Sequence, residues 1–420
     1  MIGLKVKAGA LQLVLFISII IALLLFGFLA FIHMQTKFDK QNDLVSETVR
    51  NAQKGIDFAL LNPIALQDTT SLYINSEYKT IKLTKSYWGL FEKITAISKI
   101  KNYHFQKIAL LGAASNIEEK VALQVEDYNK PLVLVGQTRI QGNAILPAQG
   151  VKPGYIAGVS YYGQQLIEGN IKVGTKLPNF TREQKQQWES VFELPMNNEN
   201  IVFVDLETQR THQNSFKEKE HIIYSNGKIS LIDVVLIGHI KVQSNTQITV
   251  SASTKLKDVL LVAPKIIIEK GVRGNFQAFA NQEIKVEENV KLSYPSVLAL
   301  IDSNNNLEAP IKSKIEIGKQ ADIQGSVLFF AKNPKYNNDV QVLLEESSLV
   351  TGEVYCNQNL ELKGSVFGTI YTANFIAKQS GSIYQNHIYN GTILFNRLPS
   401  KYVGLSFNKE KPKKIIKWLY

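Results

Sequence analysis

An uncharged apolar run of 25 residues, 8–32, lies directly behind Lys5 and Lys7. As a helix it is about 37 Å long at roughly 1.5 Å per residue, which is enough to cross a hydrocarbon core of about 30 Å. The run contains seven Leu, five Ile, one Val and four Phe, which together favour insertion by roughly 5–10 kcal/mol. We therefore predict a single transmembrane helix over residues 8–32, with the lipid bilayer as its partner.

Two other interpretations of this run are weaker. A cleaved signal peptide has an apolar core of about 7–15 residues and a small-residue cleavage site, whereas this core is longer and Ala30-Phe31-Ile32 is a poor cleavage end. A helix buried in a soluble core rarely runs 25 residues without a charge. The pattern favours an uncleaved signal anchor.

The orientation of the anchor follows from the flanking charges. Lys5 and Lys7 lie on one side, and Lys37, Lys40 and Arg50 follow on the other, so the positive-inside rule gives nearly a tie. A short basic head (residues 1–7) before a long C-terminal domain usually stays inside the cell. We expect a single-pass cell-membrane protein whose C-terminal domain is extracytoplasmic, in the periplasm.

The next two segments are predicted from apolar spacing. In 33–62, apolar residues recur every three or four positions and Asn62-Pro63 supplies a stop, which predicts a juxtamembrane helix. The pattern of 63–135 predicts a small mixed α/β lead region with a short helix between Trp88 and Ile100. A further helix is predicted near 181–193, where Thr181 and Gln184 have the spacing of a capping box.

An internal repeat of about 18 residues begins near residue 246. Apolar-x-apolar pairs return at steps of 18, 18, 31, 27 and 18 residues, so two insertions of about 13 and 9 residues preserve the phase. The pairs are Ile248/Val250, Ile266/Ile268, Ile284/Val286, Ile315/Ile317, Val342/Leu344 and Leu360/Leu362.

Glycine marks a second shared position of the repeat. Gly325, Gly352 and Gly368 each stand between two apolar residues in an apolar-x-Gly-x-apolar pattern, and an earlier copy surrounds Gly142. Strands with alternating apolar residues, joined by tight corners, can stack coil on coil. Neighbouring coils then bury apolar side chains that a single coil would leave exposed. We predict a mainly β chain with a parallel β-helix (solenoid) over 136–395. An antiparallel β-sandwich is the alternative, but it does not explain insertions that keep the phase.

The repeat over 246–394 resembles the bactofilins, bacterial cytoskeletal proteins with a right-handed β-helix core. The apolar pairs and the glycines at 325, 352 and 368 carry the resemblance. It implies a right-handed solenoid and self-association, since bactofilins polymerise end to end without nucleotide. The long lead region, the corner insertions and the expected extracytoplasmic placement depart from that family.

The N-terminus resembles pilin-type accessory proteins. Lys7-Ala8-Gly9 precedes Ala10 and the long apolar helix, so cleavage after Gly9 would leave Ala10 as the first residue. Val14 stands where most pilins carry a glutamate. The resemblance implies a minor pilin-like component of a filament or secretion apparatus.

The residues that usually carry chemistry are sparse. The single cysteine, Cys356, excludes an intrachain disulfide and is predicted to be a buried thiol. His212 and His221 lie in a polar stretch typical of a solvated loop. Six acidic residues fall in the repeat without aligning as pairs; they are Asp302, Asp322, Asp339, Glu345, Glu346 and Glu353.

No phosphate loop, zinc-type cluster, EF-hand loop or nucleophile elbow is present in the sequence. We therefore predict a non-enzymatic protein with no catalytic, cofactor-binding or metal-ligating residues. We interpret it as an envelope scaffold, assembly or docking module that self-associates or binds an envelope protein. A β-helix carbohydrate-active enzyme or polysaccharide-binding protein is the alternative.

The net charge is +11, and the tail 396–420 is rich in lysine. Lys401–Tyr420 contains six lysines against one glutamate, which suits an anionic surface, although a solvated, partly disordered tail has the same composition. No nucleic-acid-binding motif carries the charge, so nucleic acid is not expected as a partner.

Overall fold

The protein is mainly β, with one long N-terminal helix. The structure, a computed structural model, describes residues 9–66, 68–73, 78–114, 121–194, 201–206, 209–303, 312–334, 337–407 and 412–420. The basic head 1–7 lies outside the described residues, as do residues 304–311 and 335–336 within the two predicted insertions.

The secondary-structure elements fall into an N-terminal and a C-terminal series. The first series is α1 (Gly9–Leu61), β1 (Thr69–Tyr73), β2 (Lys79–Trp88), β3 (Phe91–Ile100), β4 (Tyr103–Ala114), β5 (Val121–Val125), β6 (Leu132–Val135), β7 (Arg139–Gln141), β8 (Asn143–Leu146), β9 (Val151–Pro153), β10 (Tyr155–Ile156), β11 (Val159–Ser160), β12 (Ile171–Val173), α2 (Arg182–Ser190), β13 (Ile201–Phe203), β14 (Thr211–Asn214), β15 (Glu220–Ser225), β16 (Ile229–Leu231) and β17 (Val235–Gly238). The second series is β18 (Ile240–Ser244), β19 (Gln247–Val250), β20 (Lys255–Val262), β21 (Lys265–Ile268), β22 (Arg273–Ala280), β23 (Glu283–Val286), β24 (Lys291–Asp302), β25 (Lys314–Ile317), β26 (Asp322–Ala331), β27 (Val342–Leu344), β28 (Leu349–Leu362), β29 (Ser365–Gln379), β30 (Ser382–Gln385), β31 (His387–Tyr389), β32 (Thr392–Leu394), a short 3-10 helix (Phe395–Arg397), β33 (Val403–Gly404) and β34 (Lys413–Leu419).

Helix α1 joins the predicted anchor to the body of the protein without a break. Its 53 residues span about 80 Å at roughly 1.5 Å per residue. By length and composition it can cross a membrane, and none of its most apolar window is buried. The buried residues all lie in its last third; they are Thr48, Asn51, Ala52, Gly55, Ile56 and Ala59.

The last third of α1 packs on an antiparallel sheet of strands β1 to β4, β33 and β34. Ile56 and Ala59 form one cluster with Ile81, Leu83 and other residues of that sheet face. Gly55 permits the close approach, because a Cβ at that position would lie 2.8 Å from Ile81 Cγ2.

The prediction of a short helix between Trp88 and Ile100 is wrong. These residues form the end of β2 and all of β3, whose apolar faces are buried by α1 and the solenoid.

Most strands from β5 to β32 pair in parallel with a solenoid-like register. The exceptions are the antiparallel pairs β10–β11 and β29–β30. The first strands of the stack, β5 and β6, precede the predicted start at 136. The predicted repeat pairs align in parallel: Ile248 with Ile266, Ile266 with Ile284, Ile284 with Ile315, Ile315 with Val342, and Val342 with Leu360. The two insertions therefore leave the stack at corners and do not shift the phase. This parallel register confirms the predicted stack at these positions and excludes an antiparallel sandwich there.

The repeat glycines form a ladder through three coils. Gly325 pairs with Gly352, and Gly352 with Gly368. Each has φ between +146° and +149°, a region that side chains with a Cβ rarely enter. A Cβ on Gly352 would lie 1.9 Å from the carbonyl oxygen of Gly325. The coils can stack at backbone contact distance here only because these residues lack a side chain.

The coils do not stack in sequence order. Strand β29 pairs with both β32 and the early strand β5, and β31 pairs with β6. One coil is thus assembled from residues 392–394 and 121–135, which come from opposite ends of the solenoid sequence. Strands β7, β8 and β9 form the next coil, and β12 ends the stack.

Helix α2 lies between β12 and β13. These two strands are at opposite ends of the stack, so the segment that contains α2 runs back along it. Its capping box is present, with the Thr181 side chain accepting from the Gln184 N–H and the Gln184 side chain accepting from the Thr181 N–H, which confirms that prediction. Trp188 packs with Phe180, Phe330 and Tyr355 on the outer face of the long parallel strands.

The other face of the antiparallel sheet packs on the same outer surface of the solenoid through Trp88, Phe91, Ile108 and Leu110. Gln277 of β22 joins the two bodies, because its Oε1 accepts from the Leu90 N–H (2.9 Å) and its Nε2 donates to the Trp88 carbonyl (2.9 Å). The molecule is therefore layered as helix, antiparallel sheet and solenoid.

The segment predicted as a basic tail is part of this sheet. Strands β33 and β34 both pair with β4, so the interpretation of 396–420 as a solvated tail is wrong for its described residues. Lys413 binds Glu92 at 2.6 Å and Lys417 binds Asp258 at 2.6 Å, while Lys401 and Lys414 remain exposed. The solenoid is consequently an insertion between β4 and its neighbours β33 and β34.

The substitution Gly352→Ala tests the glycine ladder. We expect it to lower the free energy of unfolding by about 3 kcal/mol or more, because it adds a backbone clash to an unfavourable φ. Gly271→Ala is the matched control: Gly271 also has positive φ (+78°), but a Cβ there meets nothing within 4 Å, so a loss of only about 1 kcal/mol is expected. Denaturant unfolding of the detergent-solubilised full chain measures both; equal losses would contradict the ladder.

Candidate functional site

A cleft lined with carboxamide side chains lies at one row of coil corners. Its volume is about 450 Å³, within the range typical of ligand pockets. Eight of its twelve lining residues are Asn or Gln. The lining residues are Tyr128, Lys130, Pro334, Asn337, Asn338, Asn357, Gln358, Asn359, Ala373, Asn374, Gln385 and Asn386.

Five segments of the chain meet at this cleft. Residues 357–359 belong to β28, at a register shift between Cys356 and Asn359, and Asn374 of β29 pairs directly with Asn359. Pro334, Asn337 and Asn338 come from the second insertion. Gln385 ends β30, and Asn386 connects it to β31. Tyr128 and Lys130 come from the turn after β5, which reaches the cleft because β5 pairs with β29.

Three of the amides brace the corners. The Asn357 side chain donates to the Ala331 carbonyl and accepts from the Ala331 N–H, each at 2.8 Å. Asn359 Nδ2 donates to the carbonyls of residues 337 and 339, both at 2.7 Å. Asn386 Nδ2 donates to the carbonyls of residues 130 and 131 at 3.1 and 2.9 Å. These contacts fix the wall of the cleft.

Other polar atoms of the wall have no hydrogen-bond partner among the described residues. They are the Gln358 carboxamide, Asn338 Nδ2, Asn374 Oδ1 and the buried Oδ1 of Asn386. A carboxamide carries two donors and an acceptor with two lone pairs. The wall thus offers both hydrogen-bond donors and acceptors.

The described lining residues of the cleft carry little charge. Among them only Lys130 is charged, and its Nζ donates to Gln385 Oε1 at 2.8 Å. Asp339, next to the insertion residues, forms an ion pair with Lys312 at 3.2 Å. The chemistry of this site is hydrogen bonding, with neither a general acid–base pair nor a nucleophile among its described lining residues.

This site was not predicted from the sequence, although a signal was present. Asn357 and Asn359 follow the ladder glycine Gly352 by five and seven positions, and Asn374 follows Gly368 by six. Residues at similar offsets from aligned glycines are expected in neighbouring coils at the same corner. The contribution of residues 128–130 carried no such signal, because the pairing of β5 with β29 joins distant segments.

Cys356 is a buried thiol, as predicted. Burial raises its pKa to about 12, and its Sγ lies 3.6 Å from the Asn359 carbonyl. Thiolate is the reactive form of cysteine, so this residue is chemically inert in the folded protein.

The two histidines are not in a solvated loop. His212 lies in β14 and His221 in β15, and the pKa of His221 is lowered by burial and then by the nearby His212. The prediction of a loop is wrong at these two positions and holds only for the turn between the strands. Within the described residues no group of three or more His, Cys, Asp or Glu side chains could hold a metal ion.

The acidic residues of the repeat are distributed over structural contacts. Glu345 and Glu346 pair with Lys363 (3.4 Å) and Lys319 (3.2 Å). Glu353 Oε2 accepts from the Leu405 N–H at 2.6 Å, which ties the solenoid to the returning chain. Asp302 ends β24 and Asp322 begins the neighbouring parallel strand β26, so these two lie at opposite ends of the paired strands.

Comparison with known proteins gives distant structural similarity and no family. No family model and no curated protein matches the chain. Among solved structures, the competence-associated pilin ComZ from Thermus thermophilus is similar over 84% of this chain and 86% of its own, at 10% identity and a TM-score of 0.22. Because that score is low, we argue from the contacts of this chain alone. None of the comparisons supports the resemblance to bactofilins.

The inertness of Cys356 can be measured by thiol labelling. With a pKa of about 12, only about one molecule in ten thousand carries a thiolate at pH 8. We expect no labelling of the native protein by a maleimide at pH 8 over an hour, and one label per chain in 6 M guanidinium chloride. Stoichiometric labelling of the native protein would contradict the assigned burial.

Proposed function

We propose that this protein is a pilin-like subunit of a membrane-anchored filament or secretion apparatus, with a right-handed β-helix as its extracytoplasmic (periplasmic) domain. The supporting observation is the division of α1. Its N-terminal part exposes apolar side chains, such as Leu24 with 59% and Phe31 with 65% exposure. Its last third is a structural part of the body, packed on an antiparallel sheet.

The exposed part of α1 is longer than a simple anchor requires. Burial starts only near residue 44, so about 35 helical residues project from the body, roughly 52 Å, whereas about 20 residues cross a bilayer. Phe38 and Val45, with 61% and 45% exposure, continue the apolar surface beyond the predicted anchor. In an assembly, the α1 helices of neighbouring subunits would cover this apolar surface. Before assembly, lipid would cover it.

The insertion of the solenoid is compatible with this role. The chain leaves the sheet after β4 and re-enters it at β33 and β34, so the helix and its sheet form a complete unit without the solenoid strands. The solenoid packs on the sheet face opposite α1. A subunit can therefore display it while α1 contacts its neighbours.

Disulfide crosslinking through α1 tests the assembly. Because Cys356 is buried, Leu24→Cys would supply the accessible thiol; the matched control is Lys257→Cys, an exposed position on β20. We expect mild oxidation of membranes to give covalent dimers for Leu24→Cys and monomers for Lys257→Cys. Monomers for both variants would argue against packing of α1 helices.

Processing of the N-terminus gives an independent test. Mass spectrometry of the protein from its native host is expected to find Ala10 as the first residue, as cleavage after Gly9 requires. An intact Met1 or Ile2 terminus would exclude pilin-type processing while leaving membrane anchoring untouched.

The ends of the stack favour a second candidate function, a scaffold that self-associates end to end. Strand β12 pairs only with β8 and β13 only with β15 among the described strands. Both edges expose apolar residues: Ile171 (48%) and Val173 (69%) at one end, Val202 (41%) and Phe203 (51%) at the other. An open strand edge can accept another strand, and head-to-tail contact would bury these four side chains.

Sedimentation velocity of the detergent-solubilised full chain tests this second candidate. We expect the sedimentation coefficient to rise with concentration, and Val173→Lys to abolish the rise because a charge would be buried in the contact. Ile383→Lys should leave the rise unchanged, because Ile383 is an exposed apolar position of β30 (47% exposed) whose partner strand β29 lies inside the stack between β28 and β5. A concentration-independent monomer would exclude end-to-end assembly.

A further inference from the structure

The amide-lined cleft has the chemistry of a sugar-binding site, and this inference does not depend on the pilin-like role. We propose that the cleft binds a neutral polysaccharide, a chain of uncharged sugar units that lies across successive coils. The hydroxyl groups of such a ligand both donate and accept hydrogen bonds. The eight carboxamides of the wall have the same dual capacity in fixed planar geometry.

Bracing of the corners does not account for all the amides. It explains Asn357, Asn359 and Asn386, whose Nδ2 atoms bind backbone carbonyls. The Gln358 side chain binds no described residue, although only 8% of this residue is exposed. Its carboxamide atoms are not among the buried side-chain atoms that lack a partner, so the group is open to the cleft, where a ligand hydroxyl would replace water.

The unsatisfied acceptor of Asn386 is a second, independent observation. Asn386 is 6% exposed, and its Oδ1 accepts no hydrogen bond while its Nδ2 holds the turn after β5. Together with Asn374 Oδ1 it places acceptors in two successive segments of the wall, beside the donor Nδ2 of Asn338 in the insertion. Unpaired polar groups therefore belong to lining residues from three segments of the wall.

The repeat of the wall fits a repeating ligand. Asn359 and Asn374 occupy paired positions in adjacent parallel strands, and such strands lie about 4.8 Å apart. One sugar unit of an extended polysaccharide has a similar length. Asn374 Nδ2 donates to Asn359 Oδ1 at 3.1 Å, so the groups left for successive units are the Gln358 carboxamide on β28 and Asn374 Oδ1 on β29.

Charge favours a neutral sugar over an acidic one. Lys130, the one cation among the described lining residues, already donates to Gln385 Oε1, so these residues form no cluster of cations for carboxylates or phosphates.

Isothermal titration calorimetry on the full chain tests the proposal. The detergent should be dodecyldimethylamine oxide, which has no sugar headgroup that could occupy the cleft. The probes are the hexaoses of β-1,4-linked N-acetylglucosamine, β-1,4-linked glucose and α-1,4-linked glucose, with hexagalacturonate as the acidic counterpart. We expect saturable 1:1 binding of at least one neutral hexaose and weaker or no binding of hexagalacturonate.

Variants locate the binding in the cleft. Gln358→Ala and Asn338→Ala are each expected to weaken binding of the neutral hexaose about tenfold, the effect of one lost hydrogen bond. Gln324→Ala, an exposed amide of β26 outside the cleft, should leave the affinity unchanged. Thermal unfolding of each variant shows that the fold is intact.

Three results would overturn the proposal: no binding of any neutral hexaose, preferential binding of hexagalacturonate, or affinity unchanged by both cleft variants. None of these results bears on crosslinking through α1 or on the mature N-terminus. Failure of the pilin-like role would likewise leave the binding measurements unaffected.

Discussion

Backbone pairing between parallel coils is the constraint on which the rest of this structure depends. Each coil presents apolar residues to the next, and columns such as Ile248, Ile266, Ile284 and Ile315 are fully buried only because the coils align in register. A single coil could not bury these residues. The glycine ladder completes the alignment, since any side chain at Gly325, Gly352 or Gly368 would meet the preceding backbone.

The same ladder connects the solenoid to the rest of the molecule. Tyr402 lies against it and its hydroxyl donates to the Gly325 carbonyl at 3.1 Å. The Tyr294 hydroxyl donates to the carbonyl of the adjoining Val403 at 3.0 Å. The chain therefore returns to the antiparallel sheet along a path fixed by the stack, and β33 and β34 complete the sheet on which α1 packs.

The composite coil gives the protein its non-local character. Because residues 121–135 complete a coil with residues 392–394, the two ends of the solenoid sequence must meet before that coil exists. The cleft depends on the same event, since the turn at 128–130 forms part of its wall. Contacts between such distant segments slow folding relative to local ones. A cleft formed this way exists only in the completed fold.

The sequence by itself determined the long apolar helix, the strand repeat and its phase. Uninterrupted apolar residues specified a helix long and apolar enough to cross a membrane, and the 18-residue step with its two insertions specified the parallel register, because both signals are local. The capping box at Thr181 was also predicted correctly from the sequence. The β structure of Trp88–Ile100 was not predicted, because it is fixed by burial between α1 and the solenoid. Only the tertiary structure decided the place of residues 412–420 in the sheet, the joining of β5 to β29 and the amide-lined cleft. Each of these features depends on contacts between segments that are far apart in the chain. Such contacts require no short-range pattern in the sequence from which they could be predicted.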